Sequence, residues 1–430
     1  MFSILYELGY FLSFLLFLPK VIFEMVTTRK YRISFFKRFC FFVEPIEKKG
    51  PTIWIHAVSV GETVAISSLA KALKDEIPGV TFIVSSITET GHEMAKKHIP
   101  FADRHIFLPF DFSFSVKKCL SAYKPDLIIL SETDFWWRFL NEAKKLGSTI
   151  VLVNGKISTR SVKRFCFAPF FARRLFSSID LFCMQNELYR ERFEQIGIEA
   201  KKLIVTGNLK ADIAYTPLSQ DERSALLEKL HIKPSDFVIV LGSTHDPEEA
   251  LFLREFSSLL QQNKQIKLIF APRHPERFAQ VASLLEKSPF SFSILSQGVK
   301  PENQIILIDT VGLLTQLYQI SSCAIVAGSF TNKVGGHNIL EPMAFGVPTL
   351  CGPFMQTQAE FLELAMSFHA VVQLSEKELQ KAVSLLIEKP AQRRELSDNS
   401  HKLCDHMRGA KTKTLAAMRS LDIPFFPSLK

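Results

Sequence analysis

The sequence predicts an α/β protein with two Rossmann-like domains facing a central cleft, preceded by an N-terminal membrane-anchor helix. Apolar runs alternate with helical patterns from Thr52 onward, and a second series of the same kind starts after a break at Tyr215–Gln220. Buried parallel strands separated by helices form sheets that are covered on both faces. We therefore expect an anchor at 1–27, a first domain at 28–216, and a second domain at 217–430 that includes a terminal helix.

Composition and charge limit the classes of function. The chain has 430 residues, of which 47% are apolar, and a formal net charge of +9. That charge suits nucleic acid, anionic lipid or a phosphorylated substrate. No zinc-ligand spacing, RNA-binding fingerprint or basic zipper occurs, which disfavours nucleic acid. The seven cysteines are scattered and lie mostly in apolar runs. They indicate buried thiols in a reducing compartment rather than a disulfide framework.

The N-terminal segment Ile4–Phe23 just reaches the roughly 20 apolar residues that a membrane span needs. No positive residue precedes it and no small-residue cleavage site follows, so we do not expect a cleaved signal peptide. By the positive-inside tendency, the cations that follow predict a cytoplasmic location for the rest of the chain. These cations are Arg29, Lys30, Arg32, Lys37 and Arg38. The alternative is a buried amphipathic helix of a soluble protein.

Seven candidate strands make up the first series, with helical patterns between them such as Thr63–Lys74, Phe135–Leu146 and Leu188–Gln195. The predicted strands are Thr52–Ala57, Thr81–Ser85, Ile106–Leu108, Asp126–Leu130, Thr149–Val153, Leu181–Met184 and Leu203–Val205.

The second series also has seven candidate strands, and it ends in a predicted helix from about Ala391 to Leu421 with Ser397 as its cap. The strands are Phe237–Leu241, Lys267–Phe270, Phe292–Leu295, Ile305–Ile308, Cys323–Val326, Thr349–Cys351 and Ala370–Val372.

The segment Gly335–Pro348 organises the second domain. A glycine pair opens it, a short helix follows, and a Gly-x-Pro step leads into the next strand. Backbone N–H groups at such a loop, together with the helix dipole, attract phosphate. Glu341, one turn inside the helix, can accept hydrogen bonds from ligand hydroxyl groups. The pattern predicts a site for a phosphate and a sugar.

Three polar residues follow strands of the first domain and are candidates for chemistry. Glu62 can act as a general base for a sugar hydroxyl. The structural alternative is a capping box with Ser59. Glu132 follows another strand, where Thr133 or Asp134 is the expected helix cap. Lys210 can meet a phosphate or a developing negative charge, and a solvated surface lysine is the alternative.

Polar residues also follow several strands of the second domain, which favours a nucleotide site. Arg273 is suited to bidentate phosphate binding. There is no GxxxxGK[ST] sequence and no GxGxxG after the first strand, so neither a P-loop nor an NAD site is expected. The histidines show no HExxH or similar grouping, so neither a metal nor another cofactor is predicted.

Two further segments, Ser34–Phe42 and Ser161–Phe176, mix aromatic and cationic residues. Such a composition suits an anionic lipid surface or, for the second segment, a phosphorylated and acylated substrate. Core packing is the alternative for the first segment, and a helix with a solvated basic face is the alternative for the second.

These motifs together resemble the two-domain GT-B glycosyltransferases, and specifically the 3-deoxy-D-manno-octulosonic acid (Kdo) transferases. The matching segments occur in the order of that family and cover nearly the whole chain. One departure is Trp137, where the pattern of the family continues with a proline. The matching segments are His56–Glu62, Ser131–Asp134, Gly207–Lys210, Ala271–Arg277 and Gly335–Pro342.

The resemblance implies inverting, metal-independent transfer of Kdo from CMP-Kdo to a lipid A precursor in lipopolysaccharide inner-core biosynthesis. It places the enzyme at the cytoplasmic face of the inner membrane. Glu62 would be the general base, and Glu132 and Lys210 would support the transition state or the acceptor. Arg273 would hold the CMP phosphate. Other contacts to the nucleotide would come from Pro272, Gly312, Asn338, Ile339, Leu340 and Glu341.

Two other functions remain open on the sequence. One is a GT-B transferase that uses a UDP-sugar and a lipid-linked acceptor. The other is a membrane-anchored nucleotide-binding or scaffold protein without turnover. The number of Kdo units transferred and the oligomeric state are also open.

Overall fold

The computed structural model describes residues 2–27, 31–212 and 215–426, and divides the chain into two compact units. The first unit contains Met1–Ile213 and Met407–Lys430, and the second contains Ala214–His406. Each unit has one seven-stranded sheet in which every described pair of neighbouring strands is parallel. The predicted α/β architecture with two Rossmann-like domains is therefore confirmed. The predicted cations Arg29 and Lys30 lie outside the described residues.

The strands of the two sheets fall in two consecutive series along the chain. The first sheet contains β1 (Thr52–His56), β2 (Thr81–Ser86), β3 (Arg104–Phe107), β4 (Leu127–Ser131), β5 (Thr149–Gly155), β6 (Leu181–Met184) and β7 (Leu203–Val205). The second contains β8 (Phe237–Thr244), β9 (Ile266–Pro272), β10 (Phe292–Ile294), β11 (Ile305–Leu307), β12 (Cys323–Val326), β13 (Thr349–Cys351) and β14 (Val371–Gln373).

Helices precede, connect and follow these strands. Those of the first half are α1 (Phe2–Thr27), α2 (Ser34–Lys37), α3 (Val60–Glu76), α4 (Glu89–His98), α5 (Ser113–Tyr123), α6 (Trp137–Lys145), α7 (Thr159–Phe167), α8 (Pro169–Phe176) and α9 (Glu187–Gln195). Those of the second half are α10 (Gln220–Lys229), α11 (Glu248–Gln262), α12 (Phe278–Glu286), α13 (Leu314–Gln319), α14 (Leu340–Met343), α15 (Ala359–Ser367), α16 (Leu379–Glu388), α17 (Pro390–Met407) and α18 (Ala410–Arg419).

Strand order locates the ligand-binding edge of each sheet. The first sheet runs β3-β2-β1-β4-β5-β6-β7, and the second runs β10-β11-β9-β8-β12-β13-β14. The direction of winding reverses between β1 and β4 in the first sheet, and between β8 and β12 in the second. In open α/β sheets ligands bind in the crevice at the carboxyl ends of the two strands that flank this reversal. The residues that follow these four strands are therefore the first candidates for a site.

Alternate side chains of each strand enter two separate cores, one on each face of the sheet. In β1, Trp54 packs in one core of the first unit, while Ile53 and Ile55 pack in the other. In β4 the same alternation separates Ile128 from Ile129. Burial on both faces explains why these strands are continuous apolar runs in the sequence. The sheet is fixed from both sides, which holds the residues at its edge in place.

All the predicted strands are confirmed, but the terminal helix differs from its prediction. Gly409 adopts a φ of +94° and separates α17 from α18, and Ser397 lies inside α17 instead of capping a helix. Leu415 and Met418 of α18 pack in the Ile53 core. The carboxylate of Asp212 also accepts a hydrogen bond of 2.7 Å from the Gly409 backbone N–H. The last helix therefore belongs to the first unit, whereas the sequence placed it in the second domain.

Helix α1 is long and apolar enough to cross a membrane, and one of its faces is bound to the first unit. The Tyr6 hydroxyl donates to Asp111 Oδ2 over 2.5 Å, and Arg138 Nη2 donates to Glu7 Oε2 over 2.7 Å. The opposite face is exposed, with Leu16 at 76% exposure. No residue of α1 is buried, so α1 is not the buried helix of the alternative prediction.

Candidate active site

The turn between β1 and α3 positions Glu62 at the reversal edge of the first sheet. Ser59 is the N-cap of α3, and its Oγ accepts the Glu62 backbone N–H at 3.3 Å. The Glu62 carboxylate folds back and accepts from the Val58 backbone N–H and from Ser59 Oγ, each at 2.9 Å. The expected cap is therefore present, although the carboxylate returns to Val58 and not to the N–H of Ser59. Capping holds this half-buried carboxylate at the end of the strand.

Two effects raise the pKa of Glu62 above its usual value. Burial is the larger, and the negative charge of Glu132 adds to it, while the Val58 N–H, the Ser59 hydroxyl and His56 oppose it. A carboxylate with a raised pKa takes up a proton more readily than an exposed glutamate does. Its position and its basicity together fit a general base.

Glu132 follows β4 directly and is the centre of an ion-pair network. Its backbone has a φ of +63°, a left-handed conformation that is rare for residues other than glycine. Its Oε1 lies 2.7 Å from Lys210 Nζ, and its Oε2 contacts Lys156 Nζ. Burial on its own raises the pKa of Glu132, but the two lysines outweigh burial and leave the pKa lowered. Glu132 is therefore ionised at neutral pH.

Two asparagines hold Lys210 in this position. Asn154 Oδ1 accepts the Leu209 backbone N–H, and Asn208 Oδ1 accepts the Lys210 backbone N–H, both at 2.9 Å. Asn154 Nδ2 also donates to Glu132 Oε1 over 3.3 Å. The Gly-Asn-Leu-Lys motif thus turns the chain so that Lys210 points to Glu132. Lys210 is not the solvated surface lysine of the alternative prediction.

His56 and Asp134 form a second buried contact at this edge. His56 Nδ1 lies 2.8 Å from Ser85 Oγ, and His56 Nε2 lies 2.8 Å from Asp134 Oδ2. Trp136 Nε1 donates to the same Asp134 oxygen over 2.8 Å. The pKa of Asp134 is lowered because these bonds to His56 and Trp136 outweigh the effect of burial. Asp134 therefore orients His56.

The expected helix cap after β4 was wrong. Neither Thr133 nor Asp134 caps α6, which starts at Trp137 and has no side-chain cap. Trp137 occupies the first helical position, where proline is favoured. The helix therefore starts at the tryptophan that stands where the resemblance led us to expect a proline.

Two histidines meet at the reversal edge of the second sheet. His245 follows β8, His337 lies in the loop after β12, and their Nε2 atoms are 2.8 Å apart. The His274 ring is 5.3 Å from that of His245. The pKa of His245 and that of His337 are both lowered to about 4, first by burial and then by neighbouring positive groups such as Arg273. The free site is electropositive, and its paired imidazoles are neutral at pH 7.

Arg273 carries the accessible positive charge of this edge. It follows Pro272, the last residue of β9, and its backbone N–H donates to the Thr244 carbonyl over 3.2 Å. Arg277 is paired with Glu249 at 3.1 Å. Within residues 2–27, 31–212 and 215–426, the guanidinium of Arg273 has no hydrogen-bonded or ion-paired partner. It is available to an anionic ligand.

The glycine pair has a structural role that the sequence did not show. Gly335 and Gly336 have φ values of +86° and +85°, and a Cβ at Gly336 would collide with Met355 Sδ. The Gly336 N–H already donates to the Gly328 carbonyl over 2.8 Å, and Thr357 Oγ1 donates to both glycine carbonyls. The helix that follows, α14, has only four residues. The pair shapes the loop, and its Gly336 N–H is not free for phosphate.

The remaining predicted nucleotide contacts differ in accessibility. Ile339 and Leu340 are buried, so only their backbone can face a ligand. Asn338 Nδ2 donates to the Tyr215 hydroxyl over 3.1 Å, and its Oδ1 accepts the Leu340 N–H.

Glu341 and Gly312 are the last two predicted contacts. The Glu341 carboxylate accepts from the Thr315 hydroxyl. Burial raises the pKa of Glu341, while Thr315 and Arg273 lower it in part. Gly312, just before α13, is exposed with a φ of +94°, and a Cβ there would meet nothing within 4 Å.

Comparison with known proteins decides the family. Residues 33–213 match the family described as 3-deoxy-D-manno-octulosonic-acid transferase (kdotransferase), and residues 237–403 match glycosyl transferases group 1. A 3-deoxy-D-manno-octulosonic acid transferase of Chlamydophila psittaci is 34% identical over 393 residues, which cover 91% of this chain and 90% of that protein. This chain belongs to the Kdo transferase family. A Kdo transferase of Haemophilus influenzae is 30% identical over 400 residues, 92% of each chain.

Solved structures show the same fold at lower identity. The UDP-GlcNAc 2-epimerase of Neisseria meningitidis is 13% identical with a TM-score of 0.58, and covers 87% of this Kdo transferase and 99% of its own chain. Another UDP-N-acetylglucosamine 2-epimerase has a TM-score of 0.60 at 12% identity, with coverage of 89% and 99%. These structures show that the Kdo transferase has the GT-B type of fold, as the sequence predicted.

Sequence reasoning missed several residues of this Kdo transferase that the structure brings to the two edges. Lys156 lies next to Glu132 and Asn154 supports Lys210. Both belong to the polar run Asn154-Gly155-Lys156 at the end of β5, and that run was the available signal. The His245–His337 pair joins two segments 92 residues apart, and nothing in their local patterns indicates it.

Among the described residues, no group of three or more His, Cys, Asp or Glu side chains is arranged to hold a metal ion.

Proposed function

We propose that this enzyme transfers Kdo from CMP-Kdo to a lipid A precursor, with inversion and without a metal ion. The observation that carries the proposal is the position of Glu62. Its carboxylate lies at the reversal edge of the first sheet, its pKa is raised, and the buried Glu132–Lys210 ion pair is its neighbour. Membership in the Kdo transferase family indicates that the sugar transferred is Kdo.

In the reaction, an acceptor hydroxyl attacks the anomeric carbon of Kdo while Glu62 takes its proton. The bond between that carbon and the phosphate oxygen breaks, and CMP leaves with the electron pair. Glu132 keeps its charge throughout because two lysines stabilise it, so it disfavours a second anion nearby and keeps Glu62 basic. Lys210 and Lys156 bring positive charge to the acceptor side, where they support the transition state.

The donor binds at the second sheet. Arg273 pairs with the CMP phosphate, and the neutral pair of His245 and His337 has one ring N–H left to donate to the same group. Glu341 accepts from a nucleotide hydroxyl group. Pro272, Gly312 and Asn338 line the nucleotide, and the buried Ile339 and Leu340 contribute their backbone. A monophosphate leaving group held by these cations has less need of a metal clamp than a diphosphate has.

The enzyme works at the cytoplasmic face of the inner membrane, attached through α1. The first half of α1 is bound to the first unit through Glu7 and Tyr6, so lipid cannot surround it there. A spanning helix needs about 30 Å of length within the hydrocarbon layer, or roughly 20 residues. The contacts therefore favour a helix that lies in one leaflet, with Leu12, Leu16 and Phe23 in the acyl region.

The proposal is tested by mass spectrometry of products from membranes supplied with lipid A precursor and one donor at a time. With CMP-Kdo, the mass of the acceptor should increase by one Kdo residue or more, and CMP should be released. Transfer from a UDP-sugar but not from CMP-Kdo would favour the alternative transferase. Donor binding without any release of nucleotide would favour a scaffold protein.

A further inference from the structure

A cavity of about 490 Å³ lies within the first unit, between α1 and the carboxyl edge of the sheet. Its long wall is one face of α1, from Tyr10 to Val21, which spans roughly 16 Å at 1.5 Å per residue. The other walls come from the α2 region, from Ile87 after β2, and from Phe110 and Trp136. Its volume falls within the roughly 300–1,000 Å³ that is typical of small-molecule sites.

The chemistry of this lining selects an alkyl chain. Nearly all of the lining side chains are aliphatic or aromatic, and Arg38 is the one charged group among the lining residues that the structure describes. Arg38 Nε donates to the Leu108 carbonyl over 2.9 Å, and its guanidinium lies 4.3 Å from the Phe110 ring centroid. The guanidinium is thus fixed at the wall, where it can donate to an ester or amide carbonyl of an acyl group.

Two wall residues of the cavity are linked to the candidate active site by hydrogen bonds. Trp136 lines the cavity and donates to Asp134, which in turn contacts His56. Ile87 lines it as well, and the next residue, Thr88, donates through Oγ1 to the Val58 carbonyl over 3.3 Å. Val58 is the residue whose N–H holds the Glu62 carboxylate. A chain in the cavity would therefore belong to a molecule whose polar part lies near Glu62.

We propose that this cavity binds one fatty acyl chain of the glycolipid acceptor and so places the acceptor hydroxyl at Glu62. This inference rests on the proposed function, because it takes the acceptor to be an acylated sugar. An acyl chain of a membrane phospholipid is the competing occupant. The acceptor is favoured because two wall residues lie one or two hydrogen bonds from the turn that holds Glu62, a position that serves a substrate and not a bulk lipid.

The first experiment measures where an acyl chain binds, independently of turnover. The full-length enzyme in phospholipid vesicles is irradiated with an acceptor that carries a diazirine on one acyl chain, and labelled peptides are identified by mass spectrometry. Labels on the α1 face from Tyr10 to Val21, on Ile87 or on Phe110 support the proposal, provided that unlabelled acceptor competes. Labelling by a diazirine phospholipid that the acceptor does not displace would overturn it.

The second experiment fills the cavity. Ser13 lines it, whereas Leu16 is on the exposed face of α1. Ser13→Trp should lower the ratio of kcat/KM for the acylated acceptor to kcat/KM for its deacylated counterpart by roughly tenfold or more, because the chain loses its space. Leu16→Trp is the matched control and should leave the ratio at its parent value.

An unchanged ratio in Ser13→Trp would show that the cavity does not bind the acceptor. If the parent enzyme transfers no Kdo to either acceptor, the proposed function fails. The photolabelling result then decides the cavity on its own: labelled cavity residues still support an acyl site, and unlabelled ones overturn it.

Discussion

Lys210 Nζ lies 2.7 Å from Oε1 of Glu132, in a network where Lys156 contacts the other carboxylate oxygen. This ion pair has a functional consequence, because the charge of Glu132 raises the pKa of Glu62. In the proposed function, Glu132 therefore positions the site and sets its charge, and Glu62 meets the acceptor.

Replacing Glu132 by Gln should destabilise the first unit and alter the pH–rate profile of the enzyme. Two lysines lose their anionic partner at a site where Glu132 is only 4% exposed, which costs about 1–3 kcal/mol. Thermal unfolding of the variant should show a lower Tm. Glu142→Gln, which removes the carboxylate paired with exposed Lys145 and with Arg138 on α6, is a control away from the reversal edge. A Tm equal to that of the parent would argue against a strong Glu132 network.

Glu62→Gln should abolish transfer while leaving CMP-Kdo binding intact. An amide cannot accept the proton of the acceptor hydroxyl, so kcat should fall by about 10²–10⁴-fold. The amide keeps its carbonyl for the Val58 N–H, so the helix start should persist. Product formation and calorimetric CMP binding are measured on the same preparation. A variant that transfers Kdo at the parent rate would remove Glu62 from the role of base.

The midpoint of the acidic limb of the pH–rate profile should lie at a higher pH than the usual pKa of a glutamate. The pKa of Glu62 is raised, and the base acts only when deprotonated, so kcat falls as the pH decreases through that pKa. In Glu132→Gln the negative neighbour is absent and two lysines remain, so the limb should move to lower pH. Movement to higher pH, or none, would contradict the electrostatic link between the two residues.

The sequence predicted the strands well because each is buried on both faces and reads as a continuous apolar run. It also placed Glu62, Glu132 and Arg273 at sheet edges, since the residues after parallel strands share one edge. It could not predict the His245–His337 contact or the return of α18 to the first unit, because both depend on packing between distant segments. Gly409 was the local signal for the helix break.

The exposed face of α1 should lie in lipid while the opposite face stays against the protein. Nitroxide labels on single cysteines should show lipid contact at Leu12→Cys and Leu16→Cys and not at Lys229→Cys, a control on the exposed face of α10. Exposed Cys166 and half-buried Cys404 are first replaced to give a clean background. Equal lipid contact at Leu16→Cys and at Tyr6→Cys, a position on the face that contacts Asp111, would indicate a helix surrounded by lipid, as in a full span.

Binding of CMP should be coupled to proton uptake at the histidine pair. In the free enzyme the pKa of His245 and that of His337 are each about 4, since burial and nearby positive groups disfavour the charged form. A phosphate beside them reverses the local charge and raises both pKa values. Because these imidazoles take up protons on binding, affinity for CMP should rise as the pH falls from 7 to 5 once the protonation of its own phosphate, at about pH 6, is subtracted.

Calorimetry of CMP binding in two buffers with different ionisation enthalpies measures the net proton uptake, from which the known ionisation of the CMP phosphate is subtracted. The parent enzyme should take up a fraction of one proton at pH 6. The two imidazoles share one Nε2···Nε2 contact, and a second added proton would leave both Nε2 atoms protonated and break it. His337→Asn keeps a polar side chain at this position but removes one titrating group, so uptake and the pH dependence should both decrease. Cytidine lacks the phosphate and is the ligand control, for which no uptake is expected. Equal uptake with CMP and cytidine would show that the phosphate does not bind beside these histidines.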